Sequence, residues 1–110
     1  MPIQHTVVFR LVHPVGSPRA AAFLADARRL LTSIPGVQRF GIRRQVSGKS
    51  DLTHQFTMVF ADQGAYRDYN EHPAHAAFVA DRWMAEVAEF QEYDFVDEAN
   101  APEEDEERPS

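Results

Sequence analysis

From Ile3 to Val12 the chain alternates strictly, with Ile3, His5, Val7, Phe9 and Leu11 on one side and Gln4, Thr6, Val8, Arg10 and Val12 on the other. A period of two marks a strand with one buried face, and a slip of one residue would turn the whole apolar set to water. The pattern returns from Thr53 to Phe60, where His54, Phe56, Met58 and Phe60 share a side. Two such strands need a second layer to cover them, and the intervening sequence supplies it in helical form. Gly16-Ser17-Pro18 reads as turn, N-cap and first helical residue. Phe23, Ala27, Leu30, Leu31 and Ile34 then recur on one stripe until Pro35-Gly36 ends it.

Val37 to Val46 suits a second strand, followed by a loop over Ser47-Gly48-Lys49-Ser50-Asp51. After the third strand, Asp62 can cap a short helix to about Tyr69. Pro73 begins a longer one after a break at His72-Pro73, with Ala76, Val79, Trp83, Val87 and Phe90 as its buried stripe. Phe90 to Val96 closes the domain as a fourth strand. Strand, helix, strand, strand, helix, strand is the order of a split βαβ, an α+β ferredoxin-like sandwich with its helices on one side of the sheet. The other sheet face carries Thr6, Val8, Val12, Thr53, Thr57 and Val59, a β-branched surface suited to burial against another copy of itself.

A chain of 110 residues has room for one such core, here residues 1–96. The net charge of −6 lies entirely in residues 97–110, where Asp97, Glu98, Glu103, Glu104, Asp105, Glu106 and Glu107 face the single base Arg108. That segment has too little apolar surface to offset its ordering entropy and reads as a flexible, solvated acidic tail. A neutral body with a negative end offers phosphates nothing to hold, which argues against nucleic acid. No apolar run approaches the ~20 residues needed to span a bilayer, and Met1-Pro2-Ile3-Gln4-His5 lacks the basic and apolar regions of a signal peptide. No membrane partner is expected, and the location expected is cytoplasmic. The absence of cysteine removes disulfides, thiolate metal sites and cysteine nucleophiles. With no phosphate-binding glycine loop and no Gly-x-Ser-x-Gly, phosphoryl transfer and serine hydrolysis are not indicated.

The five histidines, at 5, 13, 54, 72 and 75, are the main chemical signal. His13, beside Pro14, reads as a solvated turn residue. His5 and His54 sit on the apolar sides of their strands, where an unsatisfied imidazole costs ~1–3 kcal/mol, so each needs a polar partner. In a ferredoxin-like sheet the end of strand three lies beside the start of strand one, and the next helical segment leaves from that corner. Tyr69, His72 and His75 therefore come down over His5. His54 falls four residues along the sheet, roughly 13 Å from His5, and marks the far end of any pocket.

Neutral imidazoles beside a phenol suit proton transfer near pH 7. If Tyr69 and His75 face one pocket, the hydroxyl should reach the imidazole directly or through one water. The structural alternative has His72 capping the helix at Pro73, the Tyr69 hydroxyl in water, and His5 and His75 satisfying each other. His72 and His75 lack a carboxylate at the spacing of common zinc motifs, and Glu71 and Asp68 fall on the outer face, which makes a metal site the weaker proposal; no metal and no cofactor is expected.

Ile3-x-His5-x-Val7-x-Phe9, Ile34 to Val37 and Tyr69-Asn70-Glu71-His72-Pro73-Ala74-His75 resemble the stress-responsive dimeric α/β-barrel family, Dabb, over residues 3 to 96. The resemblance implies a ferredoxin-like protomer whose sheet packs on a partner's sheet to make a barrel. Within that family, Tyr69 and His75 are similar to the tyrosine–histidine pair of plant olivetolic acid cyclase, which folds a linear polyketide without a cofactor. His5 and His54 are similar to further histidines of its pocket. Residues 18–33 depart from that relative in having no tyrosine to line the cavity. Many members look like small stress-associated proteins, and some resemble magnesium binders.

The expected function is a cofactor-independent cyclase, isomerase or lyase acting on a small molecule, with Tyr69, His75 and His5 as the catalytic groups. His54, His72, Phe9, Phe23, Phe56, Met58, Val79 and Trp83 are expected to contact the substrate. The alternative is a non-catalytic stress-associated ligand-binding or structural dimer. A cavity of at least ~300 Å³ lined by the histidines favours the first, and a filled core the second.

Overall fold

The computed structural model describes residues 1–98, so the acidic tail expected over residues 97–110 lies almost wholly outside the described residues. Strand β1 (Ile3–Leu11) is followed by helix α1 (Pro18–Leu31), strands β2 (Gln38–Arg44) and β3 (His54–Phe60), helices α2 (Gln63–Glu71) and α3 (Pro73–Phe78), a π-helical turn (Val79–Trp83), a last helical turn α4 (Met84–Glu86) and strand β4 (Val87–Phe95). The four strands form one antiparallel sheet in the order β2-β3-β1-β4, the ferredoxin-like topology. Among the described residues no helix is long and apolar enough to cross a membrane.

The expected alternation is what buries the core. Ile3, Val7, Phe9 and Leu11 of β1 and Phe56, Met58 and Phe60 of β3 are buried under Phe23, Ala27, Leu31 and Ile34. Each helix begins where its sequence says it can. The Ser17 hydroxyl accepts a hydrogen bond from the Ala20 amide at 3.2 Å, the Asp62 carboxylate accepts one from Ala65 at 2.8 Å, and Pro18 and Pro73 stand where a missing N–H costs nothing.

The second half departs from the expected boundaries. The helix stops at Glu86 and β4 starts at Val87, so Val87 and Phe90 belong to a strand rather than to a helical stripe. Pairing explains it, because β4 sets Phe90 opposite Phe9 and, across a bulge, Val87 opposite Leu11. Ala76 is exposed and Phe78 is buried instead. In the π turn the Met84 amide bonds the Val79 carbonyl, five residues back. This extra residue per turn lets Phe78 and Trp83, five apart, share the core-facing side, with ring centroids 6.4 Å apart. β2 is also shorter than expected, with its register shifted between Gln38 and Gly41, where Arg39 has φ 52°.

The outer sheet face holds Thr6, Val8, Thr57 and Val59 as expected, but it is more polar than the alternation suggested. Arg43 donates to the Thr57 hydroxyl at 2.7 Å, Gln55 to Thr6 at 3.0 Å, and Arg10 pairs with Glu89 at 3.4 Å. Tyr93 and Phe95 add two half-exposed rings to it.

Candidate functional site

A cavity of about 280 Å³ lies between the sheet and the second helical segment. Its walls are apolar, with Val7, Leu31, Phe56, Met58, Phe78, Val79, Trp83 and Phe90, and its polar lining comes from His5, Tyr69, Asn70, His75 and Glu92. The volume falls just below the ~300 Å³ at which small-molecule sites usually begin.

Tyr69 comes from the last turn of α2 and His75 from the first turn of α3. The kink at Pro73 between them folds one ring toward the other. Their ring centroids are 4.5 Å apart at 54°, and the Tyr69 ring lies 6.5 Å from that of His5. The three groups expected to act together therefore line one cavity. The hydroxyl and the imidazole make no direct hydrogen bond, and the two rings pack tilted against each other. Tyr69 is only 3% exposed rather than pointing into bulk water. Burial, reinforced by Tyr66 and by the Glu92 carboxylate, pushes its phenol far up. Burial lowers His75, opposed by a hydrogen bond with the Asn70 backbone and aided by nearby His5. Near neutral pH the first is a proton donor and the second an unprotonated imidazole.

The partner of His5 is one the sequence reading missed. Register sets Asp94 of β4 directly across from His5, and His5 Nδ1 lies 2.6 Å from Asp94 Oδ1. The Tyr66 hydroxyl donates to Asp94 Oδ2 at 3.0 Å and lies 3.1 Å from the same Nδ1. The carboxylate at Nδ1 orients the ring and leaves Nε2 facing Glu92, 3.9 Å from its Oε2. Burial first, then the hydrogen bond to Asp94, pushes the Tyr66 phenol up to about 12.

Four expected substrate contacts fall elsewhere, since His54, His72, Phe9 and Phe23 do not line the cavity. His54 sits across from Phe9 in the sheet, as expected, but stacks on that ring at 5.7 Å and bonds the Thr53 hydroxyl at 2.9 Å. Phe9 and Phe23 fill the space that would have joined His54 to His5, with centroids 6.1 Å apart. His72 caps α3, its Nδ1 accepting from the Ala74 amide at 3.0 Å. His13 is not a solvated turn residue. Its Nε2 bonds Glu86 Oε1 at 2.8 Å, and Glu86 in turn holds Arg82, which reaches Asp26 of α1 at 2.6 Å. Among the described residues, no group of three or more histidines and carboxylates is placed to hold a metal ion.

The sequence matches the stress responsive A/B barrel domain, Dabb, over residues 3–97. A Dabb family protein of ferredoxin-like fold from Mesorhizobium loti is 50% identical, over 87% of this chain and 96% of that one, with a TM-score of 0.86. A dimeric ferredoxin-like protein of unknown function from Thermobifida fusca is 18% identical over 86% and 90% of the two chains, with a TM-score of 0.70. The hydroxynitrile lyase of Passiflora edulis shares the fold at 14% identity, over 92% of this chain and 97% of that one, with a TM-score of 0.77. No curated protein sequence matches the chain.

Proposed function

The chain belongs to the stress-responsive A/B barrel (Dabb) family, and we propose that it is a cofactor-independent enzyme of cyclase, isomerase or lyase type, moving protons on a small molecule held between sheet and helices. The observation that carries this reading is the meeting of two imidazoles and a phenol, His5, His75 and Tyr69, in one largely apolar-walled cavity. In the proposed reaction the Tyr69 hydroxyl, kept protonated by burial, donates to oxygen charge developing on the substrate. His75, kept neutral by burial, accepts the proton that leaves carbon or oxygen. His5, oriented by Asp94 and Tyr66, is the second base available to relay it. That one relative of this fold is a lyase supports chemistry of this class on such a scaffold.

Native mass spectrometry of protein purified from its own host identifies the ligand, and turnover of that compound then tests the roles. Tyr69→Phe and His75→Ala should each lower turnover by about a hundredfold, within the usual range for a lost general acid or base, while circular dichroism stays native. Unchanged turnover in Tyr69→Phe would sink the catalytic reading. It would leave the second reading, a ligand-binding dimer, which the modest cavity volume and the absence of a direct Tyr69–His75 hydrogen bond favour. Under either reading the proposed assembly is a homodimer packed through the outer sheet faces, as the dimeric relative of this fold suggests.

A further inference from the structure

The cavity's charge is as one-sided as its walls are apolar. Among the described residues lining it there is no lysine or arginine, and the single carboxylate is Glu92. Glu92 projects from the inward face of β4 opposite Val7, and the next inward residue, Asp94, stands opposite His5. With Glu92 Oε2 3.9 Å from one ring nitrogen of His5 and Asp94 Oδ1 2.6 Å from the other, even a protonated His5 leaves this end negative. Arg82, next in the chain to the cavity-lining Trp83, is tied to Glu86 and Asp26. Glu92, with 53% of its side chain exposed, and Phe90, 45% exposed, mark the opening toward solvent.

We propose that this cavity selects a compact, ring-sized molecule that is uncharged or cationic, and that Glu92 at its opening rejects carboxylates. The inference rests on reading the cavity as the ligand site. A volume of about 280 Å³ equals roughly nine waters at ~30 Å³ each, which accommodates one ring and a short substituent. Phe56, Trp83 and Phe90 line it with aromatic faces and edges, the rings of Trp83 and Phe90 meeting edge to face at 5.5 Å. They suit a planar ring. A ligand hydroxyl or amide can donate to Glu92, whereas a ligand carboxylate meets like charge with no cation to offset it. The chemistry favoured is therefore proton transfer at a hydroxyl or carbonyl, and decarboxylation of an acid is disfavoured.

Benzamide, benzamidine and benzoate share one shape and carry zero, positive and negative charge, and Trp83, the only tryptophan in the chain, lines the cavity and reports occupancy by fluorescence. At pH 7.5 and low salt, benzamide and benzamidine should bind at least about tenfold more tightly than benzoate, the scale of one like-charge contact at ~5 Å in a half-exposed site. Glu92→Gln should close most of the gap between benzoate and benzamide, and Glu92→Lys should invert the order. Benzoate binding as tightly as benzamide, a ratio unmoved by Glu92→Gln, or no Trp83 response to any of the three would overturn the proposal. The titration needs no turnover. A charge preference with Tyr69→Phe fully active removes only the catalytic reading, and no preference with Tyr69→Phe inactive removes only this one.

Discussion

His54 and His75 are both lowered by burial first, with Arg44 and His5 respectively adding to the effect. The folded protein therefore binds fewer protons than the unfolded chain just below their ordinary value of 6.5, and stability rises with pH through that window. The melting temperature should fall as pH drops from 7 to 5, and the double variant His54→Gln/His75→Gln should flatten that slope. A slope unchanged in the double variant would mean that other groups carry it. Turnover that uses neutral His75 should show an acid limb lying below 6.5. At this scale the sequence offered a signal that went unread. On β4, Phe90, Glu92 and Asp94 alternate on the side facing Phe9, Val7 and His5, so the same period of two that placed His5 also set two carboxylates beside it.

Between elements, Arg82 is the fastening. From the π turn it crosses to Asp26 on α1, holds Glu86 one turn on, and lays its guanidinium 5.8 Å from the Phe23 ring centroid. Hydrogen bonds from Arg82, then Arg29, hold Asp26 below its ordinary 3.8. Burial opposes the charge on Glu86, but Arg82 and His13 outweigh it and hold that carboxyl below 4.5. Depressed carboxyls contribute stability that is fully present above those ordinary values and is lost as pH falls below them. Arg82→Met, which keeps the apolar stem and removes the charge, should lower the melting temperature at pH 7 and shrink the further loss between pH 5 and 3. Equal acid sensitivity in both proteins would show that Arg82 is not the fastening. The π turn itself could not be read from helical periodicity, because spacing five breaks the stripe that a regular helix would show.

For the molecule as a whole, one sheet face packs under the helices and the other stands open in a single chain. Threonines, valines and two half-exposed rings on that face, with its arginines already bonded within the protomer, suit burial against a like surface. Analytical ultracentrifugation at micromolar concentration should find a dimer, and a chain ending at Val96 should dimerise and melt as the full chain does. A monomer would remove the barrel assembly, and a lower melting temperature on truncation would give the acidic end a structural part.

What the sequence determined by itself was the order of elements, the strand faces, the helix starts at Ser17, Asp62 and His72, and the meeting of His5, Tyr69 and His75. All of these follow from local periodicity, capping chemistry and one well-populated topology. What only the tertiary structure decided was register and contact across distance. The pairing of β4 with β1 set Asp94 across from His5, α2 brought the Tyr66 hydroxyl to the same imidazole, the ring of Phe9 closed the way to His54, and the π turn chose Phe78 over Ala76 for the core. Each depends on residues far apart in the chain competing for one space, and local spacing carries no record of which will win.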